Sequence, residues 1–303
     1  MITTPSRALV TGATGFVGNR LANLLVERNW EVHLIVRRSS VNSLLDDTDF
    51  TIHVDDGITP LHEIVDSAAP DVCFHTAGYF VGTHDDEDIP RLIGDNLLFG
   101  TRLADAIAKH GLAHYFVNCG TFWQNAGGRA YHPVALYAAT KQAFQDILQF
   151  YAESGQLRVA NLKLFDTYGP NDRRRKLLSQ LLESAATEQP IGLSQGYQLL
   201  DLVHVDDVAA ACLAALYPIR IESLPRFQSY AVTSGRPLQV RELVDLVSRV
   251  VGRAVSVDWG AREYKWREMM EPWDIAPALP DWSPKIGIED GVRAMWQAIH
   301  EEQ

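Results

Sequence analysis

Cysteine is scarce in this sequence: Cys73, Cys119 and Cys212 are the only three in 303 residues, and they make no close-spaced metal-ligand pattern along the chain. That excludes a disulfide scaffold and a cysteine-based metal site, so no metal is expected. The three read as reduced thiols of a cytoplasmic protein. Basic charge is also short. Lys and Arg number 27 against 38 Asp and Glu, and the net charge of -11 argues against a nucleic-acid partner. No apolar run is long enough to span a bilayer, so no membrane partner is expected either. The opening MITTPSRALVTG runs straight into a strand and a glycine turn, which leaves no room for a signal peptide. Internal repeats and low-complexity linkers are missing. What remains is 47% hydrophobic and 21% charged, the balance of a soluble globular chain with a real core in one large domain or two modest ones.

The first informative stretch is LVTGATGFVGNRLANLL. Residues 7–11 read as an apolar strand, and Leu21, Leu24, Leu25 and Trp30 recur at helical spacing. Between them stand Gly12, Gly15 and Gly18. Strand, glycine turn and helix together are what a dinucleotide site needs. The first glycine makes the tight turn, the next admits a pyrophosphate to the backbone, and the last lets helix pack on strand. The helix N-terminus faces the phosphates. Gly12, Thr14, Gly15, Phe16, Val17 and Gly18 are the candidate contacts. A plain tight turn is the bland alternative.

Residues 31–37 read as the second strand. A site for NAD commonly ends this strand with an acidic residue for the ribose hydroxyls. Here the end is Arg37, Arg38, Ser39, Ser40. Guanidinium groups with a hydroxyl nearby suit a 2'-phosphate, so NADP (as NADPH) is favoured over NAD. Two solvent-facing arginines are the alternative.

Further strands are expected at residues 50–54, 70–74, 114–119 and 158–164, with helices between them. That alternation predicts an α/β fold with a doubly wound, Rossmann-like parallel sheet. Ligands in such sheets bind beyond the carboxyl ends of the strands. Asp56 and Gly57 follow the third strand, where a carboxylate could accept from an adenine amino group. Thr76, Ala77 and Gly78 follow the fourth, small enough for backbone to lie against a cofactor. Asn96 opens a long helix, and Leu164 closes the sixth strand. These complete the candidate cofactor set. His75 reads as a satisfied core or rim histidine, and residues 84–90, HDDEDIP, as a solvated acidic face.

Residues 136–142, LYAATKQ, hold Tyr137 and Lys141 four positions apart. On a helix they share one face. A cation beside a phenol favours the phenolate, so the phenol becomes a better proton donor to an oxyanion. A surface aromatic and a salt-bridge lysine is the competing reading, and spacing alone does not separate the two.

From residue 165 the pattern loosens. Residues 173–176 are Arg-Arg-Arg-Lys, a basic run leaving the sheet edge in an acidic chain. Arg173 and Lys176 are its candidate anion contacts, Lys176 by helical phase. Residues 199–205 read as a strand followed by a capped helix. Further elements are expected at 230–232, 240–251, 255–259 and 289–300. The organisation predicted is a nucleotide domain of residues 1–165 plus about 205–235. A smaller α/β C-terminal substrate domain takes 166–204 and 236–303.

Taken together, the motifs resemble the extended (atypical) short-chain dehydrogenase/reductases of the NAD-dependent epimerase/dehydratase kind, which act on nucleotide sugars. The matching motifs run in family order: TGATGFVG, HTAG at 75–78, NxxxGT at 96–101, YAATK at 137–141, YGPN at 168–171, HVDD at 204–207 and LPDWSPK at 279–285. The resemblance implies that Tyr137 moves the proton. It implies that Lys141 holds the nicotinamide ribose and lowers the Tyr137 pKa, and that a second domain grips the nucleoside diphosphate. It also implies a homodimer through helices near 96–109 and 135–153, whose apolar residues include Leu97, Leu103, Phe144, Ile147 and Leu148.

Many relatives end the fifth strand with paired Ser or Thr. This chain reads Asn118-Cys119-Gly120-Thr121-Phe122-Trp123-Gln124. Thr121 is the only hydroxyl there and is taken as catalytic, while the alignment leaves Cys119 open. The Asp-Glu pair of the 4,6-dehydratases is missing, so elimination lacks its usual acid and base. The stretch looks most like 4-ketoreductases of the CDP-abequose/paratose synthase type, which reduce C4 of an NDP-6-deoxy-4-ketohexose. Candidate substrate contacts are Tyr79, Thr121, Phe122, Asp166, Asn171, Arg173, Lys176 and His204. Two other readings stay open: C4 epimerisation with tightly held NAD, and a non-catalytic dinucleotide-binding regulator.

Overall fold

The computed structural model describes residues 6–43, 49–110, 114–272 and 276–301. Its centre is a seven-stranded sheet of β1 (Arg7–Thr11), β2 (Glu31–Arg37), β3 (Phe50–Asp55), β4 (Val72–His75), β5 (Tyr115–Thr121), β6 (Arg158–Leu164) and β11 (Phe227–Val232). The order is β11-β6-β5-β4-β1-β2-β3, and every pairing is parallel. Parallel strands are covered on both faces, which is why runs such as Ala8–Val10 and Leu34–Val36 are apolar without alternation.

One face is covered by α1 (Phe16–Glu27), α7 (Val205–Ala214) and α8 (Leu216–Ile219), where Leu21, Leu25, Val208 and Cys212 pack with Val10, Phe74 and Leu162. The other carries α2 (Leu61–Ala68), α4 (Phe99–His110) and α5 (Leu136–Glu153), with Val65, Leu103, Ile107, Phe144 and Leu148 against Leu9, Phe116 and Val159. A short helix α3 (Ile89–Ile93) enters α4 through one wide π turn, Gly94–Leu98, which turns Asn96 inward.

A second body lies beyond the carboxyl edge. Its strands are β7 (Asp166–Tyr168), β8 (Ile191–Leu193), β9 (Leu199–Leu200), β10 (Leu202–His204), β12 (Leu238–Gln239) and β13 (Val257–Trp259). They pair two by two, β7 with β10, β8 with β13 and β9 with β12. The helices α6 (Leu177–Thr187), α9 (Val240–Val251) and α10 (Ile288–Glu301) bury Leu181, Leu243, Val247 and Val292 in a separate core. Helix α9 is set locally at both ends. Gln239 and Glu242 form a capping box, and Gly252 at φ 70° ends the helix. Residues 276–282 cross back to the sheet side, where Leu279 and Trp282 join the first core. No helix among the described residues is long and apolar enough to cross a membrane.

Candidate active site

In an open parallel sheet the crevice forms where the strand order reverses, here between β1 and β4. A cavity of about 540 Å³ opens there. Gly12, Gly15, Phe16, Val17 and Gly18 line one side with Thr76 and Gly78. Gly12 has φ 76°, and a Cβ on it would stand 2.6 Å from the Ala77 nitrogen. A Cβ on Gly18 would overlap the Gly12 carbonyl. The two glycines let β1, the β4 end and α1 close on one another. Thr76 fastens the join, its hydroxyl donating to the Thr11 carbonyl at 2.7 Å. Helix α1 begins at Gly15 with no side-chain cap, so no side chain occupies the space before its first-turn N–H groups. Backbone donors at a helix start, glycines where side chains would collide and a cavity in front of them fit a dinucleotide pyrophosphate.

The cofactor candidates farther out do not line this cavity. Thr14 is exposed. Arg37 donates to Asp95 at 3.1 Å, and Arg38 lies 3.5 Å from Asp56, with side chains 56% and 76% exposed. The Asp56 carboxylate accepts from the Thr59 and Ile58 N–H groups, which hold it below the usual carboxylate range. Gly57, at φ 74°, faces open space. Asn96 is buried. It accepts from the Tyr79 N–H at 2.7 Å and donates to the Tyr79 carbonyl and to Thr140. It therefore braces the segment after β4 against α5. His75 is fully buried, with Nδ1 bonded to Thr11 Oγ1 at 2.8 Å and Nε2 without a partner among the described residues. Burial pushes it down to about 3, so the ring is neutral.

The other side of the cavity carries the chemistry-bearing side chains. Tyr137 stands in the first turn of α5, with the Phe80 ring edge-on at 5.0 Å and Trp123 at 6.4 Å. Lys141, one turn along, is buried, and its ammonium donates to the carbonyls of Cys119 at 3.0 Å and Ala77 at 3.4 Å. Burial pushes the lysine down to about 8. The expected lowering of Tyr137 is not found. Burial pushes this phenol up and Cys119 adds to the rise, with only the Arg174 guanidinium opposing.

Thr121 ends β5, and its Oγ1 accepts from the Trp123 N–H at 3.3 Å. Cys119, two residues earlier, shares the strand face and lies 4.0 Å sulfur to sulfur from Cys212. Phe122, Leu164 and Asp166 also line the cavity. Phe122 stacks on Phe165 at 4.5 Å.

The basic run divides. Lys176 faces the cavity 3.5 Å from Asp166, and Arg174 lines it while bonded to Asp172 at 2.6 Å and stacked over Phe16 at 4.5 Å. Arg175 turns out to Glu183. Arg173 is exposed and outside the lining, as is Asn171 at φ 63°. His204 is buried as the cap of α7, accepting from the Asp206 N–H. Tyr79 points its hydroxyl to Asp88 at 2.6 Å, and it is the next residue, Phe80, that reaches the cavity. Sequence reasoning met Trp123 only within the strand-end stretch and Arg174 only within the basic run, and passed over Phe80, Arg262 and Lys265, though all five are in the lining. The cations among them sit on loops whose course depends on the second body.

Comparison with known proteins follows the same outline. The sequence profile of the NAD dependent epimerase/dehydratase family matches residues 8–222, more than half of the chain. A CDP-abequose synthase of Salmonella typhimurium is 26% identical, covering 96% of this chain and 97% of that protein. A probable UDP-glucuronate 4-epimerase of Rhizobium meliloti is 24% identical, covering 94% of each. Among solved structures, MoeE5 in complex with UDP-glucuronic acid and NAD superposes with a TM-score of 0.84 at 21% identity, over 98% of this chain and 99% of that one. By its sequence match, and with a fold that agrees, the chain belongs to the NAD dependent epimerase/dehydratase family.

Proposed function

We propose that the protein is a nucleotide-sugar 4-ketoreductase, taking an NDP-6-deoxy-4-ketohexose and NADPH in deoxysugar synthesis. The observation that carries this reading is the strand end facing Tyr137 and Lys141. It offers one hydroxyl, Thr121, and two aromatic rings, Phe122 and Trp123, where a dehydratase needs an acid and a base. Two of the cavity's carboxylates, Asp166 and Asp172, are held by Lys176 and Arg174. Similarity to CDP-abequose synthases over nearly the whole chain supports the substrate class.

The roles follow from the groups' positions. A nicotinamide dinucleotide held along the glycine turn supplies the hydride. Thr121 Oγ1 already accepts from Trp123, so its proton is left to donate to the keto oxygen. Tyr137 delivers a proton to that oxygen as charge develops on it, the burial that raises its pKa keeping it protonated until then. Lys141 would hold the nicotinamide ribose, its ammonium already aimed by the Cys119 and Ala77 carbonyls. Arg174 and Lys176 grip the diphosphate, Arg as a fork and Lys as a point charge. A homodimer across the α4 and α5 faces belongs to the same proposal. Leu103, Phe144 and Leu148 are committed to the core, and among the described residues Leu98, in the turn before α4, and Phe150 on α5 are exposed.

A second reading, C4 epimerisation with tightly held NAD, is favoured by one feature. Arg37 and Arg38 already have acidic partners, so a 2'-phosphate must compete with Asp95 and Asp56. The test is a panel of 4-keto CDP, dTDP, GDP and UDP sugars with NADPH, and NMR of the product at C4. Stoichiometric NADPH oxidation supports the reductase. Nicotinamide retained through purification, with turnover needing no added cofactor, supports the epimerase.

A further inference from the structure

The strand end that presents Thr121 is tied to the helix that presents Tyr137 by one buried amide. Gln124 Oε1 accepts the Thr121 N–H at 2.9 Å. Its Nε2 donates to Gln142 Oε1 and Gln145 Oε1, each at 2.9 Å and both on α5. Gln142 in turn donates to Asp146 at 2.8 Å. An ionised carboxylate only accepts, so Asp146 fixes which way the Gln142 amide points, and Gln142 then fixes Gln124. The polarity of the chain ends at the Thr121 N–H. Gln145 is held from the sheet side by Asn161 on β6 at 3.0 Å, and Asn161 accepts from Asn118 on β5 at 2.7 Å. Glycine at position 120 makes room for this arrangement, since a Cβ there would stand 2.9 Å from Gln124 Oε1.

We propose that Gln124 is a positioning residue: it sets the separation between the Thr121 and Tyr137 hydroxyls, which must converge on one substrate oxygen. The proposal rests on the reductase reading for its chemistry, and on the amide network alone for its geometry. A misplacement of about 1 Å between such groups costs up to about 100-fold in rate.

Gln124→Met keeps the side chain's length and removes its hydrogen bonds. In the full-length protein with NADPH, kcat on the best 4-keto nucleotide sugar should fall about 10- to 100-fold. The sugar KM and the NADPH Kd should stay within about threefold, because no binding contact is removed. Hydrogen exchange should show the Thr121 amide losing protection while the other β5 amides keep theirs. On a Thr121→Val background, Gln124→Met should cost less than about a further twofold, since it acts through Thr121. Effects that multiply, or a normal kcat with unchanged Thr121 exchange, would overturn the proposal. If Gln124→Met does not fold, Gln142→Met removes one of the two α5 anchors and is read the same way. If the wild type reduces no 4-keto sugar nucleotide, the reaction reading fails, and the exchange measurement still decides whether Gln124 holds the strand end.

Discussion

The two sides of the cavity are built by opposite means. On the side proposed for the dinucleotide the main feature is the lack of side chains: Gly12 and Gly18 leave room that a methyl group would fill, and Gly15 leaves α1 uncapped. On the side proposed for the substrate, side chains from separate segments line the cavity, with Tyr137 and Lys141 on α5, Thr121 on β5, and Arg174 and Lys176 on the loop before α6. The first side is a local property of a dozen residues. In the second, the share carried by Arg174 and Lys176 depends on how the second body packs, and substitutions should separate the two sides.

The largest effect is expected from Tyr137→Phe, which keeps the ring against Phe80 and removes the proton. Turnover should fall about 10²- to 10⁴-fold with NADPH affinity nearly unchanged. Steady-state kinetics beside a cofactor titration checks both numbers, and near-normal turnover would sink the mechanism. Gly12→Ala should do the reverse. A Cβ at φ 76° and 2.6 Å from the Ala77 nitrogen forces β1 and the β4 end apart. NADPH binding by titration calorimetry should weaken by about 100-fold or more, along with a lower melting temperature. Binding as tight as wild type would mean that the turn does not hold the pyrophosphate.

Lys141 joins the two sides and gives the comparison a pH axis. Its pKa in the folded protein is about 8, below the ordinary 10.5, so the unfolded chain binds more protons between those values and stability rises with pH across that window. Cofactor binding runs the other way. With Lys141 holding the ribose as proposed, binding needs the ammonium, so above about pH 8 the protein must first take up a proton. NADPH affinity should fall by up to about tenfold per pH unit there, and Lys141→Met should flatten the profile. An unchanged slope in the variant would assign the titration to another group.

Smaller effects are expected from the cations. Arg174→Ala and Lys176→Ala should raise the sugar KM by about 10-fold and leave the NADPH KM alone, while Arg173→Ala should change neither by more than about twofold. An equal effect at all three positions would return the run to a solvated ridge. Least of all, Arg37→Ala or Arg38→Ala should narrow the preference for NADPH over NADH by about threefold, since both side chains are exposed and already paired. Equal efficiency with both cofactors in the wild type would remove the case for NADP.

The same contrast explains what the sequence made legible. The limits of β1, β2, β6 and α9 were readable to the residue, because each is an apolar run of the right period stopped by a turn or a cap. The short strands β7, β8 and β12 were not. Two or three residues carry no period, and their partners lie far along the chain, as with Ile191–Leu193 beside Val257–Trp259. In the site, helical spacing put Tyr137 and Lys141 on one face and both line the cavity, while a role for the pair came only from the family resemblance. The placement of Arg174 was not. The loop before α6 runs through Gly169 at φ 154°, Asn171 at 63° and Arg175 at 48°, so helical phase does not order its side chains. Tyr79 and Phe80 show the same limit, since only tertiary contact with Asn96 and Asp88 decides which ring turns inward.

The central claim, hydride delivered to C4 from added cofactor, is tested most directly by isotope transfer. The wild-type protein is given NADPH carrying deuterium at both C4 positions of its nicotinamide, together with the best 4-keto sugar nucleotide, and the product is read by NMR. The account predicts one deuterium at C4 of the sugar for each NADPH consumed, and no product without added cofactor. Product that forms with no net consumption of NADPH, and carries no deuterium at C4, would contradict it.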